Sequence, residues 1–359
     1  MAQNPLSKNT VVLAGLTPPI PGGSMWHILD IARRLKTYKP ILLTQKGTQA
    51  QQEGIECITV PYKQHKSTYI RNLSFFIASI PKLKAVMKDH QIIHFHENFF
   101  FPLIPYFKKR KKTIIVTLHG FRGFAYYDKK FLWKHFRRWI QQADQVIAVS
   151  ADDKKILEKE FPGKVTYIPN GVDIKQFPRS KQKGKNILFI GRVHPQKGVH
   201  ILLEAFKHIQ KEFPNEKLVI AGPAEGAYAE ECKKNASKNV TFIGKYPREQ
   251  LPKLFKEAKM IVLPSLWEGM ALTLTEALAS EKPIIVSNLP SMASLVKSGK
   301  NGILVEPNNV EELTKAIKFV LTHKKEAEKM GKAGRKTAEA YDWAKISLKT
   351  EQVYKKNAK

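Results

Sequence analysis

Cysteine is nearly absent from this chain, with only Cys57 and Cys232 among 359 residues. Far apart and in different halves, they offer neither a disulfide framework nor a thiolate metal site, and a reducing cytoplasm fits them best. Long apolar runs are missing too. No stretch reaches the roughly eighteen uncharged apolar residues of a membrane-spanning helix, and the opening Met-Ala-Gln-Asn-Pro-Leu-Ser-Lys has no basic segment followed by an apolar core. The chain is therefore expected to be soluble or to lie on a membrane, not to cross one. Acidic residues are scarce: 31 Asp and Glu stand against 61 Lys and Arg, a formal charge of +30. That imbalance says nothing about fold but points to an anionic partner, either a membrane surface, a phosphate-rich acceptor or nucleic acid. No RNA- or DNA-binding motif accompanies it, so nucleic acid is the least expected of the three.

What is present is alternation. A chain of 359 residues suits two domains of roughly 150–180 residues each. In the first half, short apolar runs at 10–16, 40–44, 58–60, 92–96, 113–118, 145–150 and 164–168 are separated by helical patterns, the longest at about 71–88. Continuous apolar strands alternating with helices predict a doubly wound parallel sheet. Pro21-Gly22-Gly23 follows the first strand, and Ser24 is a suitable N-cap for the next helix. A glycine loop there serves either a tight turn or a ligand at the sheet's carboxyl edge. His94 and His96 share one face of their strand beside Glu97, with no third metal ligand of matching spacing, so they are expected to be polar strand-end residues. His119 closes the strand at 113–118, again at a carboxyl end.

Two basic stretches flank that strand: Lys108 to Lys112, and the helical pattern from Lys129 to Ile140. In the latter, Leu132, Phe136, Trp139 and Ile140 form a core stripe, which leaves Trp133, Lys134, Arg137 and Arg138 outside. An exposed aromatic among cations suits either a membrane interface or a solvated face. A lysine-rich stretch at 175–185 leads into the second half, with strands expected at 186–190, 217–221, 239–243, 260–263, 283–286 and 302–305. Helices are expected at 310–321 and 344–354.

The stretch with the most chemistry is Ile261-Val-Leu-Pro-Ser-Leu-Trp-Glu-Gly-Met-Ala-Leu-Thr-Leu-Thr-Glu276, which reads as strand, loop and helix. Free N–H groups at a helix start can hold a diphosphate, and Gly269 would let it approach the backbone. Glu268 and Glu276 repel phosphate and only accept hydrogen bonds, so their natural partners are the hydroxyls of a sugar or ribose. Complementing the helix dipole is their alternative role.

This pair, with seven residues between its members, resembles the signature of the retaining GT-B glycosyltransferases of family 4. Gly191-Arg192 with Lys197-Gly198 looks like that family's diphosphate clamp, Ile168-Pro-Asn-Gly-Val-Asp173 like its interdomain segment, and Thr117-Leu-His119-Gly120 like its N-terminal histidine motif. Together with Pro21-Gly22-Gly23, five motifs stand in family order along nearly the whole chain. The resemblance implies an α/β GT-B fold, with two Rossmann-like doubly wound domains facing across a cleft. An acceptor-binding domain would occupy 1–174, a nucleotide-sugar domain 175–340, and a helix at 341–359 would cross back.

It further implies that Arg192 and Lys197 hold the donor diphosphate, helped by backbone groups from Gly269 through Met270, Ala271 and Leu272 to Thr273. Glu276 would bind the ribose and Glu268 the donor sugar. Gly244 and Tyr246 would receive the base, Gly22 and Gly23 would approach the donor, and His119 would sit by the reacting carbon. No metal or other cofactor is expected, since no aspartate cluster accompanies the diphosphate site. Ala271 replaces the family's usual glycine or proline, and the segment 288–295 lacks a glutamate often found after its proline.

The expected activity is retaining transfer of a hexose-type sugar from a UDP- or GDP-sugar to an anionic acceptor. That acceptor would be lipid-linked or a lipopolysaccharide or other cell-envelope glycan, at the cytoplasmic membrane face. The alternatives are a nucleotide-sugar epimerase or phosphorylase on the same fold, and a non-catalytic polyanion binder favoured by the charge.

Overall fold

Two parallel sheets account for the alternation. The computed structural model describes residues 9–20, 22–63, 65, 67–119, 130–177, 184–269 and 272–358. Within these, the chain forms two compact units, one running to Asn170 and resuming at Trp343–Lys359, the other Gly171–Asp342. Pro21, Gly120, Met270 and Ala271 lie outside the described residues, as does the side chain of Leu132.

The first unit holds β1 (Thr10–Ala14), β2 (Lys39–Gln45), β3 (Cys57–Val60), β4 (Ile92–Phe95), β5 (Thr113–Leu118), β6 (Gln145–Ala148) and β7 (Val165–Tyr167). Their order in the sheet is β3-β2-β1-β4-β5-β6-β7 and the pairings are parallel. Val11, Val12 and Leu13 are fully buried, as expected of a central strand covered on both faces. The chain winds outward from β1 through β2 and β3, then returns to the other side of β1 at β4. That reversal is where an open α/β sheet parts to receive a ligand at the strands' carboxyl ends.

The helix Trp343–Asn357 belongs to this unit. Its buried Glu351 accepts hydrogen bonds from the backbone N–H groups of Lys36 and Thr37, at 2.6 Å each, and of Tyr38, at 3.2 Å. A buried carboxylate is tolerated because it satisfies three donors that would otherwise be unpaired.

The second unit repeats the plan with β8 (Asn186–Ile190), β9 (Leu218–Ala221), β10 (Val240–Gly244), β11 (Ala258–Leu263), β12 (Ile284–Ser287) and β13 (Ile303–Val305). The order is β10-β9-β8-β11-β12-β13, all parallel, with the reversal between β8 and β11. A helix Lys324–Ala338, unmarked in the sequence reading, buries Arg335. Its guanidinium donates to the carbonyls of Ala279 at 2.5 Å, Ile174 at 3.2 Å and Phe177.

Three expectations need correction. The helix after the glycine loop begins at Gly23 with Gly22 as N-cap, so Ser24 lies inside the first turn and caps nothing. The long helix spans Thr68–Val86 and runs through Pro81. Trp133 is not left outside: it is half-buried, packs on the core and meets the Phe161 ring edge-on at 6.1 Å. Its neighbours Lys134, Arg137 and Arg138 are exposed as expected. The Trp133 face therefore offers cations without a free aromatic. Among the described residues no helix is long and apolar enough to cross a membrane.

Candidate active site

In the second unit, the loops leaving β8 and β11 are stitched together at the reversal point. Gly198, between the short turn Pro195–Lys197 and the helix Val199–Glu212, has φ +64°, and a Cβ there would lie 2.1 Å from the carbonyl oxygen of Pro264. Only glycine permits both the torsion and the approach. Backbone N–H of Leu266 donates to Gln196 O at 2.8 Å, and the Gln196 amide donates to Trp267 O at 3.0 Å. These contacts bring Lys197, which follows β8, onto Glu268, which follows β11, as an ion pair.

Glu268 Oε1 also accepts from Ser265 Oγ at 3.0 Å, and its backbone carbonyl accepts from Ser291 Oγ at 3.1 Å. Glu276 is buried on the helix Leu272–Ala279, where Oε1 accepts from the Arg248 guanidinium at 2.5 Å. Arg192 is exposed and has no carboxylate partner among the described residues. Half-buried Tyr246 sits near this pair; burial, and next the Glu276 charge, hold its phenol protonated above the usual range. Two carboxylates are thus fixed by cations while one further cation stands open, an arrangement suited to a ligand with both hydroxyls and anionic oxygens.

Arg248 was missed. It lies four residues beyond Gly244, in the loop expected to meet a base, and no periodicity or motif distinguishes it from the chain's many other cations. Leu272 and Thr273 open the Glu276 helix, and Gly269 precedes the undescribed pair Met270 and Ala271. Gly22 and Gly23, by contrast, lie in the first unit.

That unit carries a histidine cluster at its own reversal point. His27 comes from the helix after β1, His96 from the end of β4 and His119 from the end of β5, and their ring nitrogens lie within 4.8 Å of one another. His96 Nδ1 is 3.3 Å from His119 Nε2, and His27 Nδ1 is 2.8 Å from Asn170 Oδ1. His94 shares the face of His96, as strand alternation predicts, but spends both nitrogens on Tyr354 OH at 2.8 Å and Thr117 Oγ1 at 2.7 Å. Sequence spacing offered no third imidazole because His27 and His119 arrive from other strands.

Burial lowers the His27 pKa to about 4, and lowers those of His94, His96 and His119 well below the usual range. All four are neutral at pH 7. Neutral imidazoles can ligate a divalent metal or hydrogen-bond a sugar.

A cavity of about 110 Å³ opens beside this cluster, lined by Ser24, His96, Glu97, Asn98, Thr117 and His119 among others. His96 Nε2 and Glu97 Oε1 are buried without a hydrogen-bond partner among the described residues. Glu97 as a whole is only partly covered, but burial of its carboxyl pushes the pKa up to about 8. Because the folded state then binds the Glu97 proton more tightly than the unfolded state, stability is expected to fall as pH rises from about 4.5 to about 8. The slope from this group is at most about 1.4 kcal/mol per pH unit. Urea unfolding of Glu97→Gln across that window should show the decline reduced relative to wild type; an identical pH dependence would show that Glu97 ionises normally.

Comparison with known proteins matches the two units separately. Residues 172–337 fit the profile of Glycosyl transferases group 1, and residues 21–176 that of Glycosyltransferase Family 4. An uncharacterized glycosyltransferase of Methanocaldococcus jannaschii is 25% identical over 96% of this chain and 97% of its own. The UDP-Gal:alpha-D-GlcNAc-diphosphoundecaprenol alpha-1,3-galactosyltransferase of Escherichia coli is 28% identical over 74% of each. Sucrose-phosphate synthase of Thermosynechococcus elongatus superposes with a TM-score of 0.81 at 21% identity, covering 97% of this chain and 98% of that one. With both sheets, their strand order and both profiles in agreement, the chain belongs to the group 1 glycosyltransferases of the GT-B fold.

Proposed function

We propose that this glycosyltransferase moves a hexose-type sugar from a UDP- or GDP-sugar to an anionic, lipid-linked acceptor of a cell-envelope glycan, with retention of configuration and without a metal at the diphosphate. The observation that carries the reading is the set of charges at the β8/β11 reversal: Lys197 on Glu268, Arg248 on Glu276 and Arg192 open. In this reading Arg192 and Lys197 neutralise the leaving diphosphate, Glu276 holds the ribose and Glu268 the hexose hydroxyls. The Escherichia coli relative, named for a UDP-sugar donor and a diphosphoundecaprenol acceptor, supports both substrate classes. The cavity beside His96, Glu97 and His119 is assigned to the acceptor hydroxyl, with protonated Glu97 as donor and a neutral imidazole as acceptor of hydrogen bonds.

Glu268 is a poor nucleophile in this setting. Its carboxylate is already bound by Lys197 and by the Ser265 hydroxyl, which favours hydrogen bonding to sugar over attack on the anomeric carbon. Departure of the diphosphate and entry of the acceptor on the same face then avoids a covalent intermediate, with electrostatic stabilisation of the leaving group supplying most of the rate.

Product NMR with an α-linked donor is expected to show an α-linked product, and a β-linked one would overturn retention. Activity should survive chelation; loss on chelation and recovery with Mg²⁺ or Mn²⁺ would overturn the metal-free diphosphate site. Turnover of nucleotide sugar with no acceptor present would instead favour an epimerase.

A further inference from the structure

Of the eight large apolar side chains that are exposed among the described residues, four lie on one face of the Thr68–Val86 helix: Tyr69 at 70%, Ile70 at 47%, Leu73 at 43% and Ile77 at 57%. Tyr69, Leu73 and Ile77 repeat at intervals of four, and Ile70 widens the stripe. The opposite face, Phe75, Ser79 and Leu83, is buried on the sheet. This helix therefore has two apolar faces, and among the described residues only one of them is covered. Exposed Lys84, seven residues beyond Ile77, continues the outer face as a cation.

The charge around the stripe is one-sided. Between 61 and 89 there are six Lys and Arg and a single acid, Asp89. Lys84 Nζ lies 4.6 Å from the centre of the Tyr106 ring, and the Arg110 guanidinium lies 3.6 Å from it. Tyr106 thus joins the helix to exposed Lys109, Arg110 and Lys111, so the apolar stripe runs into a basic patch. An apolar strip bordered by cations suits a surface that is apolar beneath an anionic layer, whereas an aqueous polyanion would leave the strip uncovered.

We infer that the outer face of the Thr68–Val86 helix docks this protein on an anionic lipid bilayer, with Tyr69, Ile70, Leu73 and Ile77 entering the acyl boundary and Lys84 and Lys109 to Lys111 meeting the headgroups. This brings the protein to the surface where the proposed lipid-linked acceptor would lie, and it rests on that reading only for its purpose. Docking is measured without donor or acceptor, so its failure and a failure of sugar transfer are separate results.

The test is flotation with phosphatidylcholine vesicles, with and without phosphatidylglycerol. Wild type should float with the anionic vesicles and not with the neutral ones. Leu73→Asp/Ile77→Asp should weaken that binding at least about tenfold even in low salt, since it removes apolar insertion. Lys84→Gln should weaken it about fivefold, an effect that fades as salt is raised. Both variants should match wild type in far-UV circular dichroism and melting temperature, since the side chains are exposed. In Leu73→Trp, emission should shift to the blue on adding anionic vesicles, which a merely electrostatic contact elsewhere would not cause. The inference fails if wild type binds neither vesicle, if the aspartate variant binds as tightly as wild type, or if the Leu73→Trp emission stays unchanged while the protein floats. It also fails if wild type is a lipid-free dimer that the aspartate substitutions dissociate, since the stripe would then serve a second copy.

Discussion

Arg192→Ala and Lys197→Ala are each expected to lose about a hundred- to a thousandfold in turnover, the usual consequence of removing one group that stabilises a leaving anion. The two should differ in stability. Arg192 is exposed with no carboxylate partner among the described residues, so its removal should leave the melting temperature unchanged. Lys197 holds Glu268, whose side chain is 7% exposed, and Lys197→Ala would strand that carboxylate. Stranding a nearly buried charge costs on the order of 1–3 kcal/mol, discounted here because Lys197 keeps some solvent contact. Rapid-quench measurement of a single turnover, beside a thermal melt, separates the two quantities. Full turnover by either variant would remove that cation from the diphosphate site.

Glu276→Ala should weaken donor binding about ten- to a hundredfold, because a charge-assisted hydrogen bond is worth roughly 1.5–3 kcal/mol. Arg248 complicates the interpretation, since it donates to Glu276 at 2.5 Å, so removing Glu276 also changes what holds the Arg248 guanidinium. A double-mutant cycle resolves this. If Glu276 binds the ribose directly, Glu276→Ala should weaken the donor even in an Arg248→Ala background. If its whole effect is to hold Arg248, the double variant should bind no more weakly than Arg248→Ala alone. Unchanged donor affinity in Glu276→Ala, by calorimetry, would exclude Glu276 from the site.

The strands were legible because parallel strands buried on both faces are continuous apolar runs, as in Val11 to Leu13 and Ile261 to Leu263. The glutamates were legible because their spacing is local to one loop and one helix. Groups assembled over long distances were not. His27, His96 and His119 converge only once β1, β4 and β5 are neighbours, and Arg248 reaches Glu276 across 28 positions. Orientation failed where a helix is apolar on more than one side. Trp133 was set outside by the stripe of Phe136 and Trp139 yet packs on Phe161, and the segment Tyr69 to Ile80 has so many apolar residues that its pattern alone does not say which face the sheet covers.

The most direct test of the central claim, a nucleotide-sugar donor held at the β8/β11 reversal, is calorimetric titration of wild type and Arg192→Ala with a panel of UDP- and GDP-sugars. One donor should bind wild type at a single site and bind Arg192→Ala more weakly, since the variant lacks a cation for the diphosphate. No binding by any member of the panel, with retained binding of heparin or nucleic acid, would contradict the claim and leave a polyanion-binding protein on a glycosyltransferase fold.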